Sequence, residues 1–243
     1  MEQYRDLTLI EWAQDELMVV ACDNSASIGQ KIHDSLAVAP KVTAALTCRV
    51  VLMEMLSIGA EPQALINLVG NEMEPTGRMM IEGLKAELQS AGYPDLPING
   101  STEENMPTSM TSLGLTLIGR GKKAQLKMKG CQPGDLVYQI GSPLVGQQVI
   151  DYPEQIVAYP ELTKLWAMGQ DIHELVPIGS KGAVDEAEQV ASYNQLHFVQ
   201  SSFDPQFLRS SGPATSILVI AHPAISQALL TSFSLIKQVG RLA

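Results

Sequence analysis

Carboxylates are the residues of this 243-residue chain whose types and spacing could do chemistry. Asp23 directly follows an apolar run, Leu17 to Cys22, the position beyond a strand where α/β proteins often carry ligand carboxylates. The same Asp23-Asn24-Ser25 reads equally well as a plain turn. Asp6 stands at the start of the preceding β-prone run, Leu7 to Ile10, either at the same sheet end or simply in water. Glu54 lies in the middle of the most apolar stretch, with Thr47 on its face. A carboxylate buried there has to find a metal, a hydrogen-bond donor or a cation; the alternative is a helix edge that reaches solvent or a salt bridge. Glu103 and Glu104 follow Asn99-Gly100-Ser101-Thr102, read here as a flexible approach. Magnesium is bound through one or two carboxylates plus substrate phosphates, and two adjacent carboxylates repel unless something positive intervenes. A solvated loop is the competing reading.

One basic residue joins this group. Gly179-Ser180-Lys181-Gly182 opens a predicted helix, so free backbone N–H groups, the helix dipole and the Lys181 ammonium together suit an anion. A capping loop with an exposed lysine is the plainer outcome. The nucleotide and hydrolase signatures GxxxxGK[ST], GxGxxG after a strand, GxSxG and HExxH do not occur. His33, His173, His197 and His222 show no ligand spacing.

The elements that must position these residues follow from periodicity. Leu7–Ile10 and Leu17–Cys22 are predicted strands at hairpin spacing. Val42 to Ile58, apolar on nearly every face, predicts a buried helix that Gly59 and Pro62 stop. Strands are predicted at Ala64–Val69 and Ser112–Ile118. Between them Thr76 is expected to cap an amphipathic helix reaching about Ser90. Beyond a Gly-, Lys- and Gln-rich stretch, strands are predicted at Asp135–Ile140, His197–Gln200 and Ser216–Ala221. Helices are predicted at Pro160–Met168, Ala183–Tyr193 and Pro223–Ser232. The boundary is placed near residue 127, giving domains 1–127 and 128–243, with α and β mixed in both.

Composition narrows the partners. A formal charge of −10 opposes unaided attraction to nucleic acid or anionic lipid, and an acidic protein that handles phosphate needs a divalent cation or well-placed basic groups. Three scattered cysteines suggest neither a disulfide framework nor a structural zinc site. The N-terminus lacks signal-peptide regions and no apolar stretch is long enough to span a membrane, so a cytoplasmic location is expected.

Read together, the segments resemble the superfamily of aminoimidazole ribonucleotide synthetase, thiamine-monophosphate kinase, selenophosphate synthetase and the hydrogenase maturation dehydratase. Leu56-Ser57-Ile58-Gly59-Ala60-Glu61-Pro62 is similar to the family's "MGAEP" turn. Arg5-Asp6-Leu7-Thr8 resembles "DDAAV", Ala21-Cys22-Asp23-Asn24 resembles "TTDT", and Ile98-Asn99-Gly100-Ser101-Thr102 resembles "GGDT". Pro133-Gly134-Asp135-Leu136-Val137 resembles "PGDxV", and Ser211-Gly212-Pro213-Ala214-Thr215 resembles the family's C-terminal portion. "CDNSASIG", "EMEPTGR" and "NGSTEEN" look most like a branch associated with α-ribazole kinase.

The resemblance implies an α+β fold: an N-terminal mixed sheet with helices that dimerises, and a C-terminal α/β domain. It implies an ATP- and Mg²⁺-dependent kinase acting on a small-molecule nucleoside, as a homodimer. By the resemblance Asp6, Asp23 and Glu54 take metal-ligand roles, with Asp23 also catalytic, while Asn24, Asn99, Ser101 and Thr102 fall on nucleotide-binding segments. The family's sequences also depart from this one. Ser101 replaces the aspartate of "GGDT", so Glu103 or Glu104 is expected to supply that charge. Residues 1–6 hold no counterpart of the family's glycine-rich segment. Lys181, assigned a catalytic role toward phosphate or substrate, stands where the thiamine-phosphate kinase has the aspartate of "SDGL".

Overall fold

A computed structural model describes residues 1–243, which divide into two compact units, Met1–Leu126 and Lys127–Ala243. The first unit contains the strands β1 (Glu2–Tyr4), β2 (Leu7–Ala13), β3 (Glu16–Ala26), β4 (Ile28–Gly29) and β5 (Leu36–Ala37). Helix α1 (Pro40–Ser57), β6 (Glu61–Val69), α2 (Arg78–Ser90), β7 (Ile98–Thr102) and β8 (Ser112–Lys122) complete it.

Its six-stranded sheet runs β1-β2-β3-β8-β6-β7, antiparallel except at the β6/β7 edge. That parallel pair needs a crossover, which α2 supplies. Strand residues alternate: Leu17, Val19 and Ala21 of β3 and Leu113, Leu115 and Leu117 of β8 are buried against the helices. Thr8, Ile10, Met18, Val20, Ile66 and Ile118 face the other side and are half-buried.

Helix α1 is apolar all round, so it lies buried, contacting both the sheet and α2. It stops as expected, at Gly59, whose φ of 82° lies in the left-handed region that favours glycine. The α2 start differs from expectation. Thr76 lies before the helix and donates its hydroxyl to Glu72 instead of capping it.

Two further differences bear on the site. Asp23-Asn24-Ser25 is strand, because β3 continues to pair with β8 through Asp23↔Leu115, Asn24↔Gly114 and Ser25↔Leu113. Cross-strand pairing outweighs the turn preference of these residues. Asn99–Thr102, read as a flexible approach, is the edge strand β7, in register with Ile66–Val69. Polar edge strands carry little of the alternation that marks a half-buried one.

The second unit has strands β9 (Leu136–Ile140), β10 (Ile172–Pro177), β11 (Phe198–Gln200), β12 (Ile217–Ala221) and β13 (Ile236–Leu242), with helices α3 (Gln147–Asp151), α4 (Tyr159–Ala167), α5 (Gly182–Tyr193) and α6 (Ser226–Ser232). Its sheet order is β10-β12-β9-β13-β11, antiparallel throughout. Val190, Ala187 and Ala183 of α5 pack with Val137, Val176, Leu218, Ile220 and Val239 into one core. Strands β10 and β13, absent from the sequence reading, fill the places beside β12 and β9. No helix of the chain is long and apolar enough to cross a membrane.

Candidate functional site

Strand direction brings the candidate residues of the first unit to one end of its sheet. The carboxyl ends of β3, β6 and β7 and the amino end of β8 meet there, since β8 is antiparallel to its neighbours. A cavity of about 520 Å³ opens at this end, lined by Asn24, Ser25, Leu68, Val69, Gly70, Ser101, Thr102, Glu103, Ser112 and Gly114 among others. Asn24, Ser101, Thr102 and Glu103 are thus gathered in one place. Asn99 lies farther back on β7, where its carbonyl accepts from the Asn67 amide at 3.0 Å.

Asp23 precedes Asn24 on β3 but does not line this cavity, since strand alternation puts it on the same face as Val19 and Ala21; Asp6 lies in the turn before β2, whose Leu7 pairs with Ala21. Burial raises the Asp23 carboxyl to about 6; the Asn24 N–H opposes the rise and the Asp6 charge adds to it. The two carboxylates are therefore near enough to feel each other.

The five candidate carboxylates do not converge, and no group of three acidic, histidine or cysteine side chains is placed to hold a metal. Glu54 is taken by Arg5, whose guanidinium donates to it at 3.3 Å inside the unit. Of the outcomes open to a buried carboxylate, the salt bridge is the one adopted. Glu103 turns back on its own loop and accepts from the backbone N–H of Asn105 at 2.7 Å and Met106 at 3.1 Å. Glu104 accepts from Met73 N–H and the Thr102 hydroxyl, both at 2.8 Å. Their mutual repulsion is relieved by separate sets of local donors. Among the five, Asp6 and Asp23 influence each other electrostatically.

Lys181 belongs to the second unit, where it is exposed at the N-cap of α5. The anion expected beside it is already supplied by the chain: Glu186 accepts from Gly179 N–H at 3.1 Å. A carboxylate there answers the helix dipole.

Several residues near the cavity escaped the sequence reading. Asp34 accepts from Lys31 N–H, Thr111 N–H and the Thr111 hydroxyl, tying the 27–37 connection to β8. Desolvation is the largest single influence on its pKa and raises it, but these three hydrogen bonds and the Lys31 charge together outweigh it and hold the pKa below the ordinary value. Asn71, fully buried, donates to Thr108 and Met110 and accepts from Ser112 N–H. Lys31 bonds Glu72 at 2.5 Å and brings a cation to the same loops. A polar residue inside an irregular loop has no periodic signal.

No family model matches the sequence, and no curated protein matches it either. Solved structures do. A structure described as AaThiL complexed with AMPPCP and TMP is similar over 98% of this chain and 84% of that chain, at 13% identity and a TM-score of 0.67. A thiamine-monophosphate kinase from Stenotrophomonas maltophilia covers 98% of this chain and 89% of its own, at 15% identity and a TM-score of 0.64. The hydrogenase maturation protein HypE covers 96% and 81%, at 14% identity and a TM-score of 0.62. At such identities the likeness is one of fold. The chain shares with these proteins a mixed α+β, aminoimidazole ribonucleotide synthetase-like fold.

Proposed function

We propose that the protein is an ATP- and Mg²⁺-dependent small-molecule kinase that phosphorylates α-ribazole to α-ribazole 5′-phosphate, in salvage of the cobalamin lower ligand. The observation that carries the reading is the cavity where the carboxyl ends of β3, β6 and β7 meet, lined by Asn24, Ser101 and Thr102, with Asp23 next to Asn24 on β3. A similar fold was solved with AMPPCP and TMP bound.

Two carboxylates fit Mg²⁺ arriving with nucleotide, because that ion keeps substrate phosphates among its ligands. When bound, it would neutralise charge on the transferring phosphoryl group. Asp6 and Asp23 would hold the ion, and the Asn24 and Thr102 side chains would orient the nucleotide. Phosphoryl transfer asks the protein chiefly for positioning and electrostatic stabilisation, so a preformed cavity with few polar groups is sufficient machinery. The half-buried apolar face bearing Ile10, Met18, Val20, Ile66 and Ile118, with Trp12 and Leu68 exposed, supports a homodimer formed through this sheet.

The test is phosphorylation of α-ribazole with ATP and Mg²⁺, with thiamine monophosphate alongside, read by mass spectrometry. A phosphoryl gain on α-ribazole alone is expected. Phosphorylation of thiamine monophosphate alone would move the acceptor. Failure of both with nucleotide still bound would favour a non-catalytic nucleotide-binding protein, a reading motivated by the side chain of Ser101 where a carboxylate was expected.

A further inference from the structure

Strand β8 lies between β3 and β6 and carries three glycines, residues that weaken a strand interior. Two of them are explained by the chain itself. A Cβ would lie 2.4 Å from the Met55 sulfur at Gly119 and 2.4 Å from a Leu126 methyl carbon at Gly121. Gly114 has no such neighbour. A Cβ there would meet only Leu68, at 3.8 Å and 4.0 Å, which are ordinary contact distances, and its φ is not left-handed. A strand glycine that packing does not require often marks a place where a ligand comes close to the backbone. Strand register puts Gly114 inside a row of residues: Asn24 and Leu68 both pair with it, and Ser101 pairs with Leu68 in turn. The row lies on the sheet face away from α1, since Val19, Ala21, Leu113 and Leu115 occupy the other. Leu68 is 58% exposed. The side chains of Asn24, Ser101 and, in the adjoining row, Ser112 have no hydrogen-bond partner in the chain, and all of these residues line the cavity.

Resting on the functional reading above, we propose that the notch at Gly114 seats an uncharged planar heterocyclic base, that of the nucleotide or that of the acceptor nucleoside. Neighbouring strands lie about 4.8 Å apart, so a flat ring laid over the Gly114 backbone reaches from the Asn24 amide on one side to the Leu68 side chain on the other. The amide donates and accepts, which suits the ring nitrogens and exocyclic groups of a neutral base. Ser101, one strand farther, and Ser112, two residues back along β8, fall to the attached sugar. Charge favours a base here over a phosphate. None of the residues lining the cavity is Lys, Arg or His, and Glu103 is the one charged side chain among them.

The experiment measures binding of AMPPCP with Mg²⁺ and, separately, of α-ribazole to the full chain by calorimetry, beside thermal melts and sedimentation. Valine suits a strand, so Gly114→Val is expected to melt no lower than wild type. It should bind one of the two ligands at least about tenfold more weakly, as overfilling a packed site does, and the ligand that weakens is the one whose base occupies the notch. Ser101→Val should weaken the same ligand about threefold or more through a lost hydrogen bond. Thr116→Val, next on the same face of β8 but outside the cavity, should leave both affinities within about twofold. Unchanged affinity for both ligands in Gly114→Val would overturn the proposal, as would an equal loss in Thr116→Val. A change in sedimentation with both affinities intact would give the notch to a second copy of the chain instead. Unchanged binding in Ser101→Val would overturn the proposal even if Gly114→Val fails to fold. Wild type that binds neither ligand would overturn the functional reading, and the base site with it, whereas tight wild-type binding that survives Gly114→Val overturns the base site alone.

Discussion

Asp6 and Asp23, one in a turn and the other within a strand, come close enough in the folded chain for the first to raise the pKa of the second. Burial is the larger cause, and together they bring Asp23 to about 6. A folded state that holds a proton more tightly than the unfolded one is favoured below the unfolded pKa. The advantage disappears as pH rises through the folded value. Asp23 therefore opposes stability at neutral pH while it is ionised and ready for a cation.

Asp23→Asn should accordingly stabilise the protein while disabling it. After allowing for partial exposure, the gain at pH 7 is on the order of 1 to 2 kcal/mol. It should vanish at pH 4, where the wild-type carboxyl is protonated. Denaturant melts at the two pH values check this, and a destabilised variant at pH 7 would refute the account. In the wild type, metal-dependent nucleotide binding should strengthen as pH rises from about 5 to 7.

Arg5→Met should be among the most harmful single changes in the first unit. With side-chain exposures of 1% and 8%, Arg5 and Glu54 form a pair whose survivor would be a buried charge, and breaking such pairs costs about 3 to 5 kcal/mol. The double variant Arg5→Met/Glu54→Met should recover most of that loss. A double-mutant cycle by urea unfolding measures it; additive losses would mean that the two residues act separately.

Gly100→Ala should loosen the β7 edge. A Cβ at that position would sit 2.0 Å from the Asn67 carbonyl oxygen, backbone that cannot step aside. Overpacking of this kind costs about 1 to 3 kcal/mol. Amide exchange of Ile98–Thr102 should accelerate well before global unfolding. Unchanged protection would show that β7 accommodates the methyl group.

The two adjacent glutamates should separate in function. Glu104→Ala removes the acceptor for Met73 and Thr102 and should cost about 1 kcal/mol of stability. Glu103→Gln retains an acceptor in the turn and removes a negative charge from the cavity wall. AMPPCP should then bind as tightly as to wild type, or more tightly; calorimetry showing a tenfold loss would restore Glu103 as a metal ligand.

Periodicity exposed the elements with strong local signals. Helix α1 and the cores of β3, β6 and β8 are apolar runs with clear stops, and their positions were legible. Strand β7 was hidden because an edge strand of Asn, Gly, Ser and Thr has the composition of a loop; only its pairing with β6 makes it a strand. The site was legible in part for a similar reason. Asp23 and Asn24 could be placed at a strand end, but nothing local in Glu54 could say that its partner lay 49 residues away. Glu103 and Glu104 had the right chemistry, and backbone donors claimed them. Lys31 and Asp34 were invisible, since loop contacts carry no period.

The connections around the cavity are stitched to one another. Ser27 N–H reaches Thr111, His33 N–H reaches Ser109, Asn71 holds Met110, and Met73 N–H reaches Glu104. Loops usually vary independently, each over its own patch of surface. Here an insertion in one would unfasten its neighbours, so acceptor preference should diversify through coordinated changes across all of these loops rather than one loop at a time. Sequence drift in this protein's descendants should accordingly leave correlated substitutions between 27–37 and 108–112, even where every strand beneath them stays the same.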